Sequence, residues 1–156
     1  QNLLYMKRFI LLVMMLLPMS AMASIPEVQK LAESFTDANK ASSAYISKHM
    51  LRMLGDENAA GMEYVDNVVI LTSNSKSAAK AINKRTQRIA KKRALENLAT
   101  LKKNNATTYV YTISANDRVT EALILIAEKK KSVLVNISGS IPQEFVASFL
   151  NTGKLQ

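Results

Sequence analysis

The sequence predicts an α+β fold: a mostly antiparallel sheet of about five to six strands with helices packed on it, in a single domain. Three observations lead there. Short runs of β-branched, aromatic and aliphatic residues recur along the chain, several alternating with polar ones. Turn-forming pairs such as Asn104-Asn105 and Asn116-Asp117 separate neighbouring runs by so few residues that they must pair antiparallel. A long Ala- and Lys-rich stretch without Gly or Pro interrupts them with helical character.

Taken in order, Ser24-Ile25-Pro26-Glu27 has the spacing of a capping box with Pro just inside a helix. Val28, Leu31 and Phe35 follow at helical intervals, so a first helix is expected to about Asn39. Ser43 to Ser47 reads as a short strand, His49 to Leu54 as one or two helical turns, and Asp56 to Gly61 as a loop. Val68-Val69-Ile70-Leu71 marks a buried strand within Asp66 to Ser73. The long helix should run from Ser75 to about Asn97. Ile82 and Ile89 share one face, whereas Leu98 and Leu101 fall almost opposite, so a strand is expected from Ala99. Tyr109, Tyr111 and Ile113 alternate with Thr108, Val110 and Thr112, giving a two-faced strand. Val119 to Ala127 suits a central strand, Lys129 to Lys131 a turn, and Val133, Val135 and Ile137 another alternating strand. Ser140-Ile141-Pro142-Gln143 repeats the capping pattern ahead of a last helix with Phe145, Val146, Phe149 and Leu150, and Gly153 follows its end.

The N-terminal segment reads as an address. Met6-Lys7-Arg8 is a basic start, Phe9 to Leu17 an unbroken apolar run, and Pro18 breaks it. Ala21-Met22-Ala23 then supplies the small residues a signal peptidase needs, with cleavage before Ser24. The apolar run is too short to span a bilayer core of about 30 Å. Gln1 to Tyr5 read as an upstream extension. The chain therefore divides into residues 1–23, extension plus secretory signal peptide, and residues 24–156, the α+β domain. The expected location is periplasmic or secreted.

The chain has no Cys, which excludes disulfides, thiolate chemistry and thiolate zinc sites. Its formal net charge is +9, and losing Lys7 and Arg8 with the signal still leaves it basic. Most of that charge lies on the long helix: Lys76, Lys80, Lys84, Arg85, Arg88, Lys91, Lys92 and Arg93, with Glu96 as the one acid. Lys80, Lys84, Arg85, Arg88, Lys91 and Lys92 form the candidate face for an anion or partner, against the alternative of a solvated face that keeps the protein soluble. Export removes cytoplasmic nucleic acid from reach, so none is expected as a partner.

Catalytic patterns are sparse. His49 is the single histidine and has no local nucleophile or orienting group. Ser73 to Lys76 and Ser77 to Lys80 match Ser-x-x-Lys, which places an amine one helical turn from a Ser nucleophile, but the companion Ser-Asp-Asn and Lys-Thr-Gly motifs are missing. A calcium loop starting at Asp56 would put Asn67 where a bidentate Glu belongs. No catalytic residue, cofactor or metal is assigned. The Asn105 and Asn136 sequons are incidental in a bacterial export protein.

The segments SAYISKHMLRML (Ser43 to Leu54), VDNVVILTS and RVTEALILIAEKKKSVLVNISGSI resemble the small exported proteins of Gram-negative bacteria grouped as domain-of-unknown-function family four-two-five-two. The specific parts are Tyr45-Ile46-Ser47 with the Met- and Leu-rich turn after it, and the strand pair ending at Ile137-Ser138-Gly139. The resemblance implies an envelope location and an α+β domain, carries no catalytic residues, and implies a loose link to extracytoplasmic sigma and anti-sigma factors. The long helix here is more basic than the family pattern. The expected function is a non-enzymatic protein-binding or signalling-accessory module whose partner is another envelope protein. Binding of anionic lipid or polyanion is the alternative, and a serine hydrolase using Ser73 or Ser77 the third.

Overall fold

The structure is a computed structural model that describes residues 25–54 and 61–146. The export signal, its cleavage site at Ala21, Ala23 and Ser24, most of the Asp56 to Gly61 loop and the chain beyond Val146 lie outside the described residues.

The elements are α1 (Pro26–Asp37), β1 (Ala41–Ser47), α2 (Lys48–Leu54), a 3-10 turn (Met62–Tyr64), β2 (Val65–Ser73), α3 (Lys76–Lys92), β3 (Glu96–Lys103), β4 (Ala106–Ala115), β5 (Arg118–Ala127) and β6 (Ser132–Pro142). The strands form one six-stranded sheet in the order β1-β2-β6-β5-β4-β3. Every neighbouring pair is antiparallel. β3 to β6 are a meander whose turns follow from local chemistry. Asn104, Asn116 and Asp117 take the positive φ that tight hairpins need and that Asn and Asp tolerate best. β2 and β3 run in the same direction at separated places in the sheet, so the link between them must cross a face, and α3 is that link.

Both α1 and α3 cover one face. Val69 and Leu71 of β2, Leu134 of β6 and Leu123 and Leu125 of β5 meet Val28, Leu31 and Phe35 of α1 and Ile82 and Ile89 of α3. Tyr109, Tyr111 and Ile113 extend this core over β4. The opposite face is also apolar, with Val68, Ile70, Ile124, Ile126, Val133, Val135 and Ile137 half-buried on it. At one end of it Phe145 and Val146, in the helical residues 143–146, pack with Val119, Ala122 and Ile141. Two apolar faces explain why Val119 to Ala127 reads as a nearly continuous hydrophobic run.

Three local expectations are corrected. The α1 cap is Ile25 with no side-chain hydrogen bond, and Glu27, expected to close a capping box, instead binds Arg93 of α3. α3 stops at Lys92, about a turn early, and β3 starts at Glu96 rather than Ala99. The stop is a Schellman turn: Ala94 takes φ 50°, its N–H donates to Lys91 O, and Leu95 N–H donates to Ala90 O. Ala in place of the usual Gly hid it from the sequence. Finally, Ser140 to Pro142 end β6 instead of capping a helix; the Ser140 hydroxyl and carbonyl accept hydrogen bonds from Arg118 of β5.

Candidate functional site

The residues singled out from the sequence fall in separate places. Ser73 is buried at the end of β2, where its hydroxyl accepts the Ser132 N–H at 2.8 Å, so it is tied to the fold. Ser75 is the N-cap of α3, its Oγ accepting from Ala78 N–H, and Ser77 lies exposed 3.3 Å from Ser75 Oγ. His49 is exposed on α2. These positions do not assemble a nucleophile with a base and an oxyanion donor.

The basic helix is sorted by its packing. Ala78, Ala79, Ile82, Thr86, Ile89 and Ala90 face the sheet. Lys76, Lys80, Lys84, Arg88 and Lys92, four residues apart, make one exposed ridge, with Lys91 beside it. Arg85 stands aside, its guanidinium 5.3 Å from the Phe35 ring centre. Arg93, just past the helix, donates from Nε and Nη2 to the two Glu27 oxygens at 2.6 and 2.9 Å and so joins α3 to α1. That bond holds the Glu27 carboxyl below its usual range. Glu96, counted with the helix from sequence, belongs to β3, which leaves α3 without an acidic side chain.

A polar cluster that sequence patterns did not disclose sits on the helix-covered face. Glu121, Asn136 and Ser138 come from β5 and β6, with Glu121 opposite Ser138 in register. Glu121 Oε2 accepts from Asn136 Nδ2 and from Ser138 Oγ, each at 2.8 Å. Asn136, wholly buried, turns its Oδ1 to the Ile25 N–H at 3.1 Å. The cluster thereby holds the start of α1 against the sheet by giving the N–H of its N-cap residue an acceptor. Burial pushes the Glu121 carboxyl above its usual range, and its two hydrogen bonds only partly offset this. The hydrogen-bonding capacity of Asn136 is spent inside the fold, which makes the cluster a structural anchor.

The remaining distinctive surface is the edge of β1, which among the described residues pairs with β2 alone. Exposed large apolar side chains lie on β1 and on α2, which follows it directly: Tyr45 is 62 % exposed, Met50 47 % and Met53 74 %, whereas Leu98 on β3 is 41 %. Beside Tyr45 a cleft of about 250 Å³ opens between α1 and the strand, lined by Gln29, Glu33, Ser43, Tyr45, Asn67 and Val69. Asn67 Oδ1 is buried there without a hydrogen-bond partner among the described residues. The two sheet edges differ in kind. β3 carries Glu96, Lys102, Lys103 and a register shift between Asn97 and Ala99, devices that discourage strand pairing. β1 (Ala41–Ser47) has no charge, no Pro and an uninterrupted register.

No curated protein and no solved structure matches the chain. The model of the family described as "Domain of unknown function (DUF4252)" matches residues 35–149, taking in all six strands and α3, and the chain belongs to that family.

Proposed function

We propose that this protein is exported to the bacterial envelope and acts there as a non-enzymatic module that binds another protein along the β1 edge. The observation that carries the reading is the concentration of exposed apolar side chains, Tyr45, Met50 and Met53, beside a sheet edge that lacks protective charge. An unguarded edge offers a row of backbone donors and acceptors, and flanking aromatic and Met side chains supply desolvated anchors. The cleft beside Tyr45 is large enough for one side chain of a partner strand. The export reading rests on the basic start, apolar run and small-residue site at Met6 to Ser24.

Site-specific photo-crosslinking in the native cell tests both parts. A photoreactive residue at Tyr45, Met50 or Met53 should give one discrete protein adduct in the envelope fraction, and the same residue at Thr100 or Lys103 of β3 should give none. Adducts of equal yield from both edges, or from neither, would sink the edge assignment. Recovery of the protein from the cytoplasm with Met6 to Ala23 intact would sink the export assignment.

A further inference from the structure

The α3 ridge is a second surface, independent of the β1 edge. Lys76, Lys80, Lys84, Arg88 and Lys92 are all exposed. Ion pairs among the described residues are Lys48–Asp66 and Arg93–Glu27, so neither draws on the ridge. With a rise of 1.5 Å per residue, the ridge sets cations about 6 Å apart along about 24 Å. Neighbours of like charge four residues apart weaken a helix. Here the cost is carried four times over with no acidic residue interposed, although the Ala- and Ile-rich face beneath would hold the helix in place with any polar surface.

We infer that this ridge lays the domain on a bilayer surface rich in anionic headgroups. The residue types select that partner over other polyanions. Five of the seven exposed cations of α3 are Lys, a compact, strongly hydrated charge with little geometric demand, which suits a fluid array of phosphates better than a fixed pattern of carboxylates. The ridge holds no aromatic or large aliphatic side chain; Ser77, Arg85 and Gln87 complete the exposed surface of α3. It therefore lacks both the anchor of a specific protein interface and the stacking platform of a single-stranded nucleic acid site. It also lacks an apolar face to insert, so the contact is electrostatic and peripheral. α1 holds Arg85 and Arg93 out of the ridge, over Phe35 and on Glu27.

The test is co-sedimentation of the purified processed protein with vesicles of phosphatidylcholine alone and of phosphatidylcholine mixed with phosphatidylglycerol. The expected result is binding to the mixed vesicles only, lost at high salt as exposed charges become screened over a few ångströms. The triple change Lys80→Gln, Lys84→Gln and Arg88→Gln should weaken binding about a hundredfold, roughly fivefold per cation, with the thermal midpoint unchanged or raised. A Gln87→Lys change, adding charge beside the ridge, should strengthen it. Binding that ignores the triple change overturns the assignment to α3. Equal displacement by soluble polyphosphate and by anionic vesicles, matched in phosphate, overturns the bilayer as partner in favour of a free polyanion. Absence of binding to mixed vesicles at low salt overturns it outright. None of these outcomes bears on the β1 edge, whose crosslinks are scored separately.

Discussion

Asn136 is the residue on which most of the interior chemistry converges. Its amide accepts from Ile25 N–H and donates to Glu121 Oε2 and to Ala122 O, all in a wholly buried position. Replacing it with Ala leaves the Ile25 N–H and the Glu121 carboxylate short of partners, and we expect a loss of about 2 to 3 kcal/mol, read as an earlier midpoint in urea with unchanged slope. Glu121 makes a pH prediction. Its folded-state carboxyl titrates above the unfolded one. Between those two values the folded state therefore holds more protons than the unfolded state, and stability falls as pH rises through that window. The Glu121→Gln variant keeps an acceptor for Asn136 and Ser138 but has nothing to ionise. Its unfolding free energy should lack that fall and should match or exceed the parent at neutral pH, as urea titrations at several pH values would show.

Helix α3 is set by its ends and by one stripe. Ser75 caps its start, and five small or aliphatic residues together with Thr86 face the sheet. Its end is the weak point, because Ala94 occupies a left-handed conformation that costs a side chain with a Cβ about 1 kcal/mol or more. Ala94→Gly should raise stability by about 1 kcal/mol without moving β3, measured by calorimetry. The link from α3 to α1 is smaller in energy. The Glu27–Arg93 pair is bidentate but well exposed, and Arg93→Ala should cost no more than about 1 kcal/mol, with the loss shrinking at high salt.

Across the molecule, stability should follow the order of the sheet. β5 and β6 lie inside it and carry Leu123, Leu125, Leu134 and Asn136, each under 2 % exposed, so their amides should exchange slowest. β3, an edge strand with mostly exposed side chains, should exchange fastest among the strands. Hydrogen exchange resolved by strand decides this, and protection of β1 rising on addition of a crosslinked partner would locate that partner on the edge. One backbone approach also constrains the whole: a Cβ on Gly139 would run into the carbonyl oxygen of Tyr64, where β2 begins beside β6. Gly139→Ala should cost at least about 2 kcal/mol, because backbone rather than a flexible side chain must yield.

Much of this architecture is local and was therefore open to reading from sequence. Periodicity and turn chemistry determined the existence and type of the elements, the antiparallel meander and its Asn-based turns, since each depends on contacts only a few residues apart. The cationic character of the long helix is likewise a property of composition. Tertiary structure decided what depends on distant partners. It closed α3 with Ala94, where a Gly would have announced the end, and it moved Glu27 from a helix cap to Arg93. It placed β3 at the far edge from β1, so that one edge is guarded by charge and the other, among the described residues, carries none beside Tyr45. It gathered Glu121, Asn136 and Ser138 beneath Ile25, a grouping invisible in a chain where Ile25 and Asn136 are separated by 111 positions. It also divided the basic residues into those engaged by α1 and those left on the ridge, because only packing fixes which side of a helix meets its neighbours.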